Sequence, residues 1–134
     1  MNVNVILIFS NPAEVQKWVD MINYVAAAFS TPALSAPVSS KPEFFSMPKY
    51  SSQPAKNSLH EQLKYHTDKM NEMGDRLDAL RDEAPPMKSH GKVIYNYFHR
   101  ERYFDYESER YRTYVRVLKK KLNAIEGTSP ASLQ

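Results

Sequence analysis

Cysteine is absent from this chain of 134 residues. Disulfides, thiolate nucleophiles and thiolate metal sites are excluded with it, as is a small secreted scaffold held by disulfides. Glycine is scarce, at three residues. Phosphate-cradling loops and dinucleotide fingerprints need backbone that approaches the ligand closely, which glycine permits. No such loop, and no hydrolase elbow, is present. Long apolar runs are missing too. Residues 3–9 are apolar but too short for a membrane span, and no basic stretch precedes them, since the first basic residue is Lys17. Secretion and cleavable organelle import are not expected, and an intracellular, cytoplasmic setting is the default.

Nor is there a large charge of one sign. Eighteen basic against fifteen acidic residues leave +3, with a pI near 9.0, well short of a dedicated nucleic-acid neutraliser. Hydrophobic content of 42% with 25% charge is ordinary for a folded chain. The length suits one compact domain burying roughly two-thirds of its unfolded surface, or a smaller folded part with extended arms. Nine prolines, none in the interior of a helical pattern, favour the second.

What the chain has is helical periodicity. Residues 92–126 form a long helical pattern dense in Tyr and Arg. Its positions stepping by three and four are Ile94, Tyr97, Glu101, Phe104, Ser108, Tyr111, Val115, Leu118, Leu122 and Ile125, and eight of the ten suit a coiled-coil seam. Before it, Ser58 as cap with Glu61 as box partner opens a helix that runs to about Glu83, where Pro85 and Pro86 stop it. The seam of that helix is Leu59, Leu63, His66, Met70, Met73, Leu77 and Leu80, with an acidic stripe of Glu61, Asp68, Asp75 and Asp82 opposite. Gly74 weakens it by on the order of 1 kcal/mol against alanine.

The spacing predicts an antiparallel hairpin over residues 57–126, supported by opposite charge: four basic against seven acidic residues in 57–83, nine against five in 92–126. Folding about residue 87 sets His66 opposite Ser108 and Glu101 near Met73 and Gly74. It leaves the end of the long helix, including Val117, Leu118, Leu122 and Ile125, without a hairpin mate. Either an N-terminal helix covers these residues or another molecule does.

That N-terminal helix is marked by Asn11 as cap, Pro12 at the first position and Glu14 three residues after the cap. Val15, Trp18, Val19, Ile22, Val25, Ala26 and Phe29 share one face, and Pro32 ends the pattern. Residues 1–9 read as a short strand or an extended arm, which docks on this chain's helices or on a partner's sheet edge. The fold class is therefore mainly α: residues 1–30 an arm and amphipathic helix, 57–126 the hairpin, 127–134 a polar tail. Between them, 31–56 is a Pro/Ser-rich linker or, because it carries Leu34, Phe44, Phe45 and Tyr50, a strap laid across a helical surface. The closing Leu133–Gln134 also matches the left side of a Gln-specific viral protease cut, a single-dipeptide signal.

No cofactor or metal is expected. His60 and His66 are six residues apart, whereas two ligands on one helix need three or four. His90 and His99 have no partner the sequence names. No pair of carboxylates forms an acid/base constellation, so no enzymatic role is expected. The function read from these features is a structural or accessory subunit that binds partner proteins in a larger assembly or self-associates. Its interface residues would be Trp18, Phe104, Tyr111, Val115, Leu118, Leu122 and Ile125. The alternative is a helical nucleic-acid binder, RNA rather than specific DNA. Arg110, Arg112, Arg116, Lys119, Lys120 and Lys121, interleaved with Tyr111 and Tyr114 and free of acids, would meet phosphates or an acidic partner.

Overall fold

The computed structural model describes Ile8, residues 11–34 and residues 45–127. The expected strand or arm at residues 1–9, apart from an exposed Ile8, and the polar tail beyond 127 lie outside the described residues. Three helices make up most of the rest: α1, Pro12–Phe29; α2, Leu59–Asp82; and α3, Gly91–Gly127.

Their starts follow local chemistry. Asn11 Oδ1 accepts a hydrogen bond from the Glu14 amide at 2.9 Å, with Pro12 at a position where its missing N–H leaves nothing unpaired. Ser58 and Glu61 form a reciprocal capping box at α2, satisfying two amides that the helix itself cannot. In α2 a side chain added at Gly74 would meet nothing within 4 Å, so this glycine serves no close approach.

α2 and α3 pack antiparallel as the expected hairpin, but in a shifted register. Arg81 near the end of α2 pairs with Glu101 at 3.5 Å, and His60 near its start pairs with Glu126 at 3.0 Å. Glu101 thus meets Arg81, not Met73 and Gly74, and α2 reaches almost to the end of α3. The symmetric fold about residue 87 fails because the first turns of α3 extend past the end of α2. Asn96, in that stretch, accepts from the Phe45 amide at 2.9 Å. The supposed overhang at Leu118 and Leu122 is covered within the chain, and only Ile125 stays half exposed.

α1 closes the third side and runs antiparallel to α3, with Asp20 near Arg116 and Lys120, and Val25 and Phe29 near Tyr106 and Arg110. It does not use the predicted face. Val15, Trp18, Val19, Ile22, Val25 and Phe29 are all 39–54% exposed, whereas Ala27 and Ala28 are buried. Alanine lets the helix approach closely but contributes little to a hydrophobic pattern, so periodicity picked out the larger side chains instead. The core gathers Ala27, Met73, Tyr103, Tyr111, Tyr114, Val117 and Leu118. Full burial of Leu118 contributes about 1.5–3 kcal/mol.

The described part of residues 31–56 is laid across the helices. Ala33–Leu34 (β1) and Lys49–Tyr50 (β2) form a two-residue antiparallel clasp, too short for the prolines to forbid. Phe45 stacks on Tyr103 with ring centroids 5.3 Å apart, and the Ala55 amide donates to the Phe29 carbonyl at 2.9 Å.

Candidate protein interface

The last carbonyls of a helix have no partner within it and must find one outside. In α1 they find its own C-cap and the other elements. Ala26 O accepts from the Ser30 amide, Phe29 O from the Ala55 amide, and Ala27 O from both Gln62 Nε2 at 3.1 Å and His66 Nε2 at 2.7 Å. Gln62 Nε2 also donates to Ser30 O at 2.9 Å, while its Oε1 accepts from Asn57 Nδ2 at 3.0 Å. A fully buried glutamine is tolerable because its donors and its acceptor are engaged. This junction fixes the rotation of α1 on the hairpin, and hence which of its faces looks outward.

His66 is the one polar position of the α2 seam, and its predicted partner Ser108 is replaced by Ala27 O and by rings. The Tyr114 and Tyr111 centroids lie 5.0 and 5.6 Å from its own. Donation from Nε2 fixes the neutral tautomer, and among the described residues Nδ1 has no hydrogen-bond partner. Burial, with a smaller contribution from Arg110, holds the imidazole below its usual pKa of 6.5 despite the opposing hydrogen bond to Ala27.

Beside it Arg110 forms a two-pronged pair with Glu107, at 3.0 Å from Nε and 2.6 Å from Nη2. The guanidinium also reaches the Tyr50 hydroxyl at 3.4 Å and lies over the Tyr50, Tyr111 and Tyr114 rings. Burial opposes the charge on Arg110, but Glu107 more than offsets it and keeps the guanidinium above its ordinary range. Burial and Glu107 likewise push the Tyr50 phenol up. A cleft of about 550 Å³ opens over this pair between α1, residues 50–54 and α3, walled by Val25, Phe29, Pro54 and Tyr106.

The residues expected at an interface divide. Tyr111, Val115, Leu118 and Leu122 are buried in this chain's own core and Phe104 is half buried against it, so they are not a free surface. Trp18 and Ile125 are exposed, and with Trp18 goes the outward face of α1. The basic residues divide as well. Arg110 belongs to the buried pair, Arg112 pairs with Glu109, and Arg116 and Lys120 both face Asp20, at 3.7 and 3.8 Å. Lys121 sits 5.4 Å from the Tyr24 ring, and Lys119 is exposed. Sequence reasoning missed Gln62, Glu107 and Asp20. Gln62 had a usable signal, lying one position before Leu63 and four before His66 on the same side of α2.

Among the described residues no three histidine, aspartate or glutamate side chains converge to hold a metal ion, and no helix is long and apolar enough to cross a membrane.

Comparison with known proteins adds a relative. The chain is 32% identical over 124 residues to a Caenorhabditis elegans protein named as an exchange factor for Arf-6. The match takes in 92% of this chain and 15% of that protein, so the chain spans about a seventh of its relative's length. No protein-family model matches the chain, and no solved structure does. The expectation of no enzymatic role is corrected by this relative, which is named for an exchange activity.

Proposed function

We propose that this chain is a protein-contacting helical region that serves an exchange factor for Arf-6. The observation that carries the reading is the 32% identity across 124 residues, nearly the whole chain. The structure is consistent with such a role. It presents the outward apolar side of α1, with Val15, Trp18, Val19, Ile22, Val25 and Phe29, on a frame that the Gln62 and His66 junction holds in one orientation. A contiguous apolar patch of that kind fits a protein contact better than open solvent. The proposed contact residues are therefore Trp18 and its neighbours on α1, with Ile125 at the far end of α3.

Arg110 and Arg112 are taken up by Glu107 and Glu109, which favours protein over nucleic acid, since a phosphate-binding surface keeps its cations for phosphates. The test is a chimera. The matched stretch of the nematode protein is deleted or replaced by this chain, and exchange on Arf-6 is measured. Deletion should lower exchange and replacement should restore it. A chimera no better than the deletion, or a deletion without effect, would overturn the reading.

A further inference from the structure

We propose that the cleft between α1 and the C-terminal half of α3 receives an acidic amphipathic helix of a partner protein. This deepens the protein-contact reading and rests on it. Met21, Tyr24, Val117 and Ala124 supply an apolar lining, while Lys120 and Lys121 stand at its edge with Asp20. Its volume of about 290 Å³ falls just below the range of roughly 300–1,000 Å³ for small-molecule sites, so it suits a few anchoring side chains and not a cofactor. Met21 also lines an adjoining depression with Glu14, Lys17 and Trp18, which continues the apolar track along α1.

The occupant follows from charge. Lys120 and Lys121 line the cleft, Arg116 reaches its Asp20, and Lys17 lines the adjoining depression with Glu14. Asp20 is the acid within the cleft, and it faces Arg116 and Lys120 together. The Lys120 side chain is 73% exposed, and Lys121 is held over the Tyr24 ring at the cleft wall. A helix with leucines on one face and glutamates on its flanks would place apolar anchors between Met21 and Val117 and carboxylates against the lysines. That is the helix-in-groove mode of recognition, with apolar residues holding and rim charges steering.

Trp18, the chain's single tryptophan, reports on the site. Its emission is followed as the full chain is titrated with four probes: a synthetic helix with leucines on one face and glutamates on the other, the same helix with lysines for glutamates, a poly-uridine strand, and phosphatidylserine vesicles. The acidic helix should give a saturable shift that the lysine helix does not. Lys120→Glu with Lys121→Glu should weaken that binding by about tenfold or more. Ala124→Asp, which places an acid in the cleft without removing a lysine, should weaken it too. Helicity measured by circular dichroism should be unchanged in both variants, because the altered side chains are exposed. No saturable shift, equal binding by the variants, or a shift with only the poly-uridine or the vesicles overturns the proposal. If the chimera restores exchange while the acidic helix fails to bind, this inference falls and the functional reading stands.

Discussion

His66 Nε2 lies 2.7 Å from the carbonyl oxygen of Ala27, joining the first third of α2 to the last turn of α1 across the interior of the fold. Gln62, one turn earlier in α2, donates to the same oxygen and to Ser30 O. Two buried polar side chains on one helix thus cap the end of another, and the outward face of α1 is set by that contact.

Replacing Gln62 by leucine should loosen α1 more than the hairpin. It strands Ser30 O and leaves Ala27 O with His66 alone, and leaving such groups unsatisfied costs about 1–3 kcal/mol. Chemical denaturation should show that loss. Amide hydrogen exchange should show it concentrated in residues 20–30, with α2 and α3 little changed.

Stability should fall on mild acidification. Because burial holds His66 below its ordinary 6.5, the unfolded chain takes up the proton before the folded one. The fold is at full strength above about pH 6.5 and loses stability as pH drops below it, with a slope approaching about 1.4 kcal/mol per pH unit. Denaturation of wild type and His66→Gln across that window checks this. The variant should be less stable throughout and flatter with pH.

Glu107→Ala should be among the most damaging single changes. It leaves the partly buried Arg110 guanidinium without its carboxylate; because Arg110 also lines the open cleft, the loss should fall below the about 3–5 kcal/mol that removing one partner of a fully buried pair costs. Arg110→Met added to Glu107→Met should recover much of it, because neither charge then remains. Thermal denaturation of the single and double variants separates the two cases, and limited proteolysis should find residues 45–57 more readily cut in Glu107→Ala.

Gly74→Ala should stabilise the protein. A side chain there meets nothing within 4 Å, so alanine keeps the helix and removes the entropic cost of glycine. The gain should be about 0.5–1 kcal/mol by denaturant midpoint at unchanged slope.

The helices and their caps were legible because they depend on local chemistry: Asn11 with Pro12, Ser58 with Glu61, and the apolar seams of α2 and α3. The antiparallel hairpin followed from the spacing of the two seams and from opposite charge. The register did not, since it depends on how far α3 runs past the end of α2. The buried face of α1 was hidden for a different reason: alanines and carbonyl groups make the contact, and neither has a hydrophobic signature. Four predicted interface residues, Tyr111, Val115, Leu118 and Leu122, are internal because an apolar stripe reads the same whether its mate is in this chain or in another. The basic segment looked free because Asp20 is distant in sequence and Glu107 and Glu109 lie just outside it.

The outward face of α1 is proposed to serve protein contact in Arf-6 exchange, and surface variants within the chimera test that most directly. Trp18→Ala and Ile22→Asp alter half-exposed positions and should leave helicity nearly unchanged, with only a modest fall in the denaturation midpoint. Exchange on Arf-6 by chimeras carrying them should fall towards that of the deletion. Exchange equal to the unsubstituted chimera, with the fold intact, would contradict the assignment of this face.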